Sequence, residues 1–355
     1  MKQPLRVLLL SADYLPDVWS GIGVAVANQA RALAGAGAAV TVLLGSRRPR
    51  RKAAEVPGVT LRPLTAGRCP VNPADFDVIH LHSLALAELA LEMKRRLRRP
   101  LVYTAHSLLP LELAGAGGRL RRFWAAVQAH LFRECDFVIF LNEGERRAAL
   151  AALPGLARRS AVIRHAVAPA LSRPEGRRPE LILFAGRFSA DKGLALLAEL
   201  AARVLKERPC DFLLVGGHGD PAGQRAANCL ARRHAEHCRI LPWLPHETLQ
   251  ALLGRAALVL IPSRYEPFGL VALEAMRAGT PVLAAAAGGL SETLGPGSGG
   301  RLVSAPEPGL WAAETLALLA APAERAALGR QGPAYVAANF NQAEWAQTLM
   351  TKAYG

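Results

Sequence analysis

Short apolar runs alternate with longer amphipathic stretches along almost the whole chain, and this alternation limits the folds that the sequence can adopt. The first run, LRVLLLSA, predicts a buried strand, and a glycine-bearing loop leads from it into the helical stretch VAVANQARALAGAG. The run AAVTVLLG then completes a β-α-β opening. Because strands that alternate with helices pair in parallel beneath helices on both faces, the sequence predicts an α/β fold of doubly wound parallel sheets.

The alternation stops once, in the proline-rich segment HAVAPALSRPEGRRPE at residues 165–180, and then resumes as a second β-α-β series. The chain of 355 residues also exceeds the roughly 250 residues at which single cores tend to split. The segment therefore predicts an interdomain linker. We expect a first domain at residues 1–168, a second at 169–338, and a C-terminal helix at 339–355 that packs back on the first domain.

Cysteine usage and hydropathy indicate a cytoplasmic protein. The five cysteines include no C-x-x-C pair, which is typical of reduced thiols. The apolar run from Val7 to Leu10 is far shorter than the roughly 7–15 residues of a signal-peptide core. No window approaches the ~18 consecutive apolar residues of a membrane-spanning helix.

The net charge of +15 is concentrated in the first half, where residues 1–165 carry 24 Lys and Arg against 12 Asp and Glu. Such an excess attracts anionic lipid, nucleic acid or acidic substrates, or it forms a solvated basic face. A nucleic-acid-binding protein is expected to interleave aromatic residues with its basic clusters, and only Phe123 and Trp124 come close to this pattern. We therefore expect peripheral contact with the inner face of a membrane and no nucleic acid.

Two glutamates lie eight residues apart in the segment PSRYEPFGLVALEAMRAG, one before a predicted helix and one inside it. The amides of Phe268, Gly269 and Leu270 begin that helix, where unsatisfied N–H groups favour a phosphate. Glu274 is placed to accept hydrogen bonds from vicinal hydroxyls such as those of a ribose. Glu266 can accept hydroxyls of a sugar on the other side of the phosphate.

Two other segments of the second domain carry cations and glycines that suit the same ligand. In AGRFSADKG, Arg187 and Lys192 follow a predicted strand, and a guanidinium with an ammonium can hold a diphosphate without a metal. In AAGGLSETL, Gly288 and Gly289 allow close approach of a ligand. Together these features predict a site for a sugar–diphosphate–nucleoside.

The ordered set SGIG, DVIHLHS, VYTAHSL, DFVIFLN, AGRFSADKG and the glutamate segment resembles the retaining glycosyltransferases of family 4, in the glycogen synthase and sucrose synthase-like superfamily. The resemblance covers nearly the whole chain. It implies the GT-B fold, in which two Rossmann-like domains face a deep cleft. It also implies transfer of a sugar from a nucleotide-diphosphate sugar to a glycan, a lipid-linked or a small-molecule acceptor, with retention of configuration.

The resemblance also implies a role for each matching residue. Arg187 and Lys192 would hold the donor diphosphate, Glu274 the ribose, and Glu266 the hydroxyls of the transferred sugar. His106, in VYTAHSL, would face that sugar near the reacting carbon. Gly21 and Gly23 would bring the first domain's loop against the diphosphate and the acceptor. No metal and no cofactor is expected beyond the donor substrate.

The sequence departs from the family pattern in two places. Ser20 stands where the family has the first of two glycines, and it is expected to crowd the phosphate loop. His165 and Ala166 stand where asparagine and glycine are usual after the first domain, which puts the hinge geometry in doubt. Neither departure removes a charged residue of the predicted donor site.

Two other functions remain open from the sequence, a nucleotide-sugar epimerase on the same fold and a basic nucleic-acid or membrane-binding protein without catalysis. Metal sites have weaker support. The D-x-D of Asp75 and Asp77 immediately precedes a strand, and a mixed set of cysteines and histidines matches no zinc pattern (Cys229, His234, His237 and Cys238). His80 and His82 alternate on one strand and share a face, which is more typical of a strand end than of a metal site.

Overall fold

The computed structural model describes residues 3–15, 20–45, 56–64, 69–112, 118–168, 176, 178–217 and 219–355. The chain divides into two units, one made of Met1–Ala168 with Phe340–Gly355 and the other of Pro169–Asn339. We call them unit 1 and unit 2. Residues 47–52, a basic stretch, and half of the predicted linker (residues 169–175 and 177) lie outside the described residues.

Unit 1 contains a parallel sheet of seven strands in the order β3-β2-β1-β4-β5-β6-β7. The strands are β1 (Arg6–Ser11), β2 (Ala39–Leu44), β3 (Val59–Pro63), β4 (Val78–Leu81), β5 (Leu101–Thr104), β6 (Phe137–Phe140) and β7 (Ser160–Val162). The helices that connect them are α1 (Gly21–Gly35), α2 (Ala87–Leu97), α3 (Leu109–Glu112), α4 (Arg119–Glu134) and α5 (Glu143–Ala152). The strand order reverses between β1 and β4, so their carboxyl ends form a topological switch point.

The apolar run of β1 explains why both faces of this sheet are covered. Val7 and Leu9 belong to one core cluster, whereas Leu8 and Leu10 belong to another. Because side chains alternate along a strand, a continuous apolar run needs helices on both faces. The structure thus confirms the predicted doubly wound sheet.

Unit 2 repeats this architecture with a parallel sheet of six strands in the order β10-β9-β8-β11-β12-β13. The strands are β8 (Leu181–Arg187), β9 (Asp211–Gly217), β10 (Cys238–Leu241), β11 (Leu258–Ile261), β12 (Val282–Ala285) and β13 (Gly300–Val303). The helices are α6 (Leu194–Glu207), α7 (Pro221–Arg233), α8 (His246–Arg255), α9 (Leu270–Arg277), α10 (Leu290–Thr293), α11 (Pro308–Ala320) and α12 (Pro322–Asn339). The switch point of this sheet lies between β8 and β11.

The C-terminal segment belongs to unit 1 and packs in its core. Helix α13 (Gln342–Thr348) continues into a π-helical turn at Leu349–Ala353. Trp345 and Leu349 are buried with residues of β1 and α1. None of the helices in the described part of the chain is long and apolar enough to cross a bilayer.

Candidate functional site

The charged residues predicted to bind a diphosphate lie at the switch point of unit 2. Arg187 is the last residue of β8, and Lys192 follows in a short turn. Glu266 follows β11, which pairs directly with β8. Because parallel strands present their carboxyl ends at one edge of the sheet, the fold brings these three residues together from distant parts of the sequence.

The cluster consists of two cations and two carboxylates. Lys192 Nζ lies 2.8 Å from Glu266 Oε2 and 3.9 Å from Asp191 Oδ2. Arg187 Nη2 lies 3.4 Å from the same Asp191 oxygen. The side chains are 16–38% exposed, so the cluster is accessible to a ligand from solvent.

Asp191 belongs to this cluster although the sequence analysis did not select it. Its carbonyl accepts the amide of Arg264 at 2.7 Å, which ties the turn after β8 to the loop after β11. The next residue but one, Gly193, has φ +74° and leaves no room for a Cβ against the carbonyl of Pro262. Its position in the sequence, four residues after Arg187 and next to Lys192, could have identified Asp191 as a member of the cluster.

Glu266 also fixes the start of α9. Its Oε1 accepts the amide of Gly269 at 3.2 Å, while its other oxygen contacts Lys192. Gly269 caps the helix at φ +91°, and Leu270 is the first helical residue. The neighbouring Phe268 is buried, and its carbonyl accepts the Thr293 hydroxyl at 2.8 Å. The Glu266 carboxylate and the start of α9 are therefore fixed relative to each other.

Gly288 and Gly289 support the loop that carries Glu266. The Gly289 amide donates to the Glu266 carbonyl at 2.7 Å. A Cβ on Gly288 would lie 2.4 Å from that carbonyl oxygen, and one on Gly289 would lie 1.9 Å from the carbonyl oxygen of Pro267. The close approach that these glycines permit in this structure is to the protein's own backbone.

Glu274 lies inside α9 and is only 4% exposed. Burial raises the pKa of its carboxyl to about 7, and the nearby Arg277 partly opposes this shift. His246 Nε2, at the start of α8, lies 3.5 Å from Glu274 Oε1. Glu274 is thus a carboxyl group whose charge changes near neutral pH.

In unit 1, His106 follows β5 and lies between two other histidines. Its Nε2 is 3.0 Å from His82 Nδ1, and its Nδ1 is 3.3 Å from His165 Nε2. The ring of His165 stacks on that of His106 with centroids 5.1 Å apart. Burial lowers the pKa of His106 to about 3, so its imidazole is neutral at physiological pH.

His80 extends this arrangement, and we call the four histidines at positions 80, 82, 106 and 165 the histidine column. His80 and His82 stack with ring centroids 4.2 Å apart. His80 Nδ1 lies 2.6 Å from the Tyr354 hydroxyl, and its Nε2 lies 2.8 Å from the Thr104 hydroxyl. The sequence analysis treated His80 and His82 as marks of a strand end, and it did not anticipate Tyr354.

The two predicted glycines of unit 1 begin α1, directly after the switch-point strand β1. Gly21 is exposed and Gly23 is buried. Ser20, which stands at an expected glycine, caps the helix because its Oγ accepts the amide of Ile22 at 3.1 Å. Its hydroxyl also lies 3.3 Å from Asp13 Oδ2. The departure at Ser20 therefore contributes a local structural contact.

The candidate metal ligands do not assemble. Asp77 forms an ion pair with Arg6 at 2.7 Å and accepts the Arg6 amide at 2.9 Å. Among the described residues, no group of three or more His, Cys, Asp or Glu side chains is arranged to hold a metal ion.

The fold is shared with solved structures that superpose over nearly the whole chain. Sucrose-phosphate synthase from Thermosynechococcus elongatus superposes with a TM-score of 0.80 at 24% identity, over 97% of each chain. HepE from Anabaena, solved in complex with UDP-glucose, superposes with a TM-score of 0.77 at 20% identity, over 97% of this chain and 98% of HepE. These similarities confirm the predicted GT-B fold.

Sequence comparison identifies the family. Residues 19–171 match Glycosyltransferase Family 4, and residues 171–335 match Glycosyl transferases group 1. D-inositol 3-phosphate glycosyltransferase 1 from Catenulispora acidiphila is 33% identical over 303 residues, which cover 78% of this chain and 72% of that protein. The chain belongs to the GT-B glycosyltransferases. These matches confirm the prediction that the chain is a glycosyltransferase.

Proposed function

We propose that this glycosyltransferase uses a nucleoside-diphosphate sugar as donor and transfers its sugar with retention of configuration and without a metal. The observation that carries the proposal is the cluster of Arg187, Lys192 and Glu266 at the switch point of unit 2. A diphosphate needs several positive donors, and this cluster supplies a guanidinium and an ammonium beside a helix start. The UDP-glucose complex of HepE supports a donor of this class.

The two cations would stabilise the departing diphosphate. Negative charge develops on that group as the glycosidic bond breaks, and preorganised donors aimed at developing charge are often the largest catalytic contribution. In the free protein Asp191 and Glu266 hold Arg187 and Lys192 in place. The cations are therefore positioned before the ligand arrives, which lowers the cost of binding.

The two glutamates would select the sugars on either side of the diphosphate. Glu266 would accept hydroxyls of the transferred sugar, and Glu274 would accept those of the ribose. A double-displacement reaction would need Glu266 as a free nucleophile. Its Oε2 contacts Lys192 at 2.8 Å and its Oε1 accepts the Gly269 amide at 3.2 Å. Because the ion pair with Lys192 weakens Glu266 as a nucleophile, we favour a single-face reaction in which the leaving phosphate oxygen takes the acceptor's proton.

His106 would act as a neutral polar group near the transferred sugar. Its pKa of about 3 leaves no charge to stabilise a phosphate, and both ring nitrogens face other histidines. With both nitrogens paired, the imidazole would meet the sugar with its ring carbons and would not act as an acid. The acceptor would be a carbohydrate, a lipid-linked or a small polyhydroxylated molecule.

A thermal-shift panel of nucleoside diphosphates and their sugars, with EDTA present, tests the donor proposal. We expect a rise in Tm for one nucleotide that is lost in Arg187→Ala and in Glu274→Ala. Arg208→Ala is the matched control, since Arg208 pairs with Glu180 at 2.7 Å elsewhere in unit 2. A shift that appears only when Mg²⁺ replaces EDTA would contradict metal independence, and no shift with any nucleotide in either condition would contradict the donor class.

Retention is tested separately by the configuration of the released sugar. Slow hydrolysis of an α-linked donor, followed by proton NMR before mutarotation, is expected to yield the α-anomer first. Initial release of the β-anomer would contradict retention while leaving the donor site intact.

A further inference from the structure

Helix α4 presents to solvent a face that is basic over most of its length. Its exposed residues are Arg119, Arg122, Phe123, Ala126, His130, Arg133 and Glu134. Phe123 is 56% exposed, the highest value among the large apolar side chains in the described part of the chain. A single exposed aromatic side chain is common on a protein surface, so its neighbours decide whether it marks an interaction surface.

The apolar part of this surface extends beyond one residue. The rings of Phe123 and Trp124 contact each other edge to face, with centroids 5.2 Å apart and planes at 71°. On the neighbouring helix α3, Leu111 is 41% exposed. Tryptophan and phenylalanine with arginine are the side chains that favour the headgroup region of a bilayer.

The charge at the start of α4 favours an anionic partner. Arg119, Arg121 and Arg122 occupy the first turn, and the helix carries no acidic residue before Glu134. None of the ion pairs between described residues includes these three arginines. Cations are unfavourable at a helix N-terminus because they face the positive end of the helix dipole. An anionic surface would relieve both the dipole and the mutual repulsion of the arginines.

We propose that this part of unit 1 docks on an anionic lipid bilayer through Arg119, Arg122, Phe123 and Trp124, which we call the α4 surface. The arginines contact lipid phosphates, and the two aromatic rings lie among the headgroups. Single-stranded nucleic acid is the other polyanion that binds aromatic and basic side chains together. Lipid is favoured because the exposed aliphatic Leu111 offers no plane on which a base can stack. The proposal does not depend on the donor site of unit 2.

Co-sedimentation of the full-length protein with vesicles tests the proposal. One vesicle preparation contains phosphatidylcholine alone, and in the other part of it is replaced by phosphatidylglycerol. We expect binding only to the second preparation, with an affinity that decreases as salt is added. Arg119→Gln with Arg122→Gln is expected to weaken binding about 25-fold, at about five-fold for each arginine near the surface. Phe123→Ser is expected to weaken it about five-fold.

Matched variants in unit 2 control for charge and for exposed apolar area. Arg232→Gln with Arg233→Gln removes two exposed arginines from α7, and Leu310→Ser removes a side chain that is 37% exposed. Neither is expected to change vesicle binding. Tryptophan emission should shift to shorter wavelength on binding, and Trp124→Phe should abolish the shift although four other tryptophans remain.

Three outcomes would overturn the proposal. Equal losses in the α7 and α4 double-arginine variants would show a diffuse charge effect. Unchanged binding by Phe123→Ser together with an unchanged emission shift in Trp124→Phe would show that the aromatic pair is not at the bilayer. Binding of polyuridylate that is weakened by the α4 variants, without vesicle binding, would assign the surface to nucleic acid.

Discussion

The two switch points of this protein hold chemically opposite sets of side chains. In unit 2, cations and carboxylates alternate in a partly exposed cluster, with Lys192 at 2.8 Å from Glu266. In unit 1, the histidine column is joined by imidazole-to-imidazole contacts, with His106 between His82 and His165. The same topology therefore carries a charged cluster in one unit and a neutral polar cluster in the other, depending on the side chains that follow the strands.

The difference predicts opposite responses to pH. Folding keeps the four histidines of the column neutral, because burial lowers their pKa values, to about 3 for His80 and for His106. Folding of unit 2 keeps Glu274 protonated up to a higher pH, because burial raises its pKa to about 7. Acid should therefore destabilise unit 1, whereas rising pH should remove stability from unit 2.

The largest expected effect is the acid sensitivity of unit 1. An unfolded histidine binds a proton below about pH 6.5, but the buried column does not, so the free energy of unfolding decreases as pH falls below that value. For the column as a whole we expect a loss of about 5 kcal/mol between about pH 7 and pH 5.5. Hydrogen-exchange mass spectrometry of peptides from β4 and β5 measures it locally.

His165→Asn provides the finer test of the column. The variant lacks one of the four buried histidines, so its free energy of unfolding should decrease by about 1 kcal/mol less than that of the wild type on acidification. This difference is independent of any change in stability at neutral pH. His130→Asn, on the exposed face of α4, is the matched control. An unchanged pH slope in His165→Asn would show that the column does not titrate as one buried group.

The second effect concerns the charged cluster of unit 2. Lys192→Ala removes a cation positioned for the leaving diphosphate and leaves Glu266 without its partner at 2.8 Å. We expect a loss in the rate of donor cleavage of about 100- to 1000-fold, equivalent to about 3–4 kcal/mol of transition-state stabilisation. The measurement is release of nucleoside diphosphate under saturating donor. A loss below ten-fold would mean that the cluster is structural.

The third effect concerns Glu274, whose contribution to stability changes with pH in the direction opposite to that of the histidines. Its folded pKa of about 7 lies above the unfolded value of 4.5. The contribution of Glu274 to the stability of unit 2 is therefore fully present below about pH 4.5 and is lost as pH rises through about 7, by about 3 kcal/mol in all. In Glu274→Gln, hydrogen exchange in peptides of α9 should depend less on pH than in the wild type, and nucleotide binding should be weaker. Glu199→Gln, on the exposed side of α6, should do neither.

The strands that the sequence predicted and those it missed differ in position within the sheets. Continuous apolar runs such as VLLL in β1 marked the central strands, which are buried on both faces. The strands β3, β7 and β13 were missed, and each lies at the edge of its sheet. Residues of β3 are mostly exposed, and β7 has three residues. An edge strand needs fewer apolar residues, so its local pattern is weak.

The site shows the same limit. Arg187, Lys192 and Glu266 were selected because each lies in a recognisable segment, and the pairing of β8 with β11 then brings them together. The histidine column was not anticipated, because His82, His106 and His165 follow three different strands and meet only in the folded sheet. Its contact with Tyr354, which is 274 residues from His80 in sequence, forms only through the packing of the C-terminal segment. Contacts of that kind depend on tertiary structure and leave no local pattern.

The smallest effect tests whether Ser20 is a structural cap or an obstacle in the phosphate loop. Its Oγ accepts the Ile22 amide at 3.1 Å, so Ser20→Ala should destabilise unit 1 by about 1 kcal/mol, and Ser20→Gly by only a few tenths. If the hydroxyl crowded the donor, Ser20→Gly would also increase the rate of donor cleavage. We expect no such increase, because the hydroxyl also lies 3.3 Å from Asp13 Oδ2 and is held on its own unit. Urea unfolding measures the loss of the cap, and the donor-cleavage assay measures crowding of the donor. A faster Ser20→Gly enzyme would show that the hydroxyl is an obstacle.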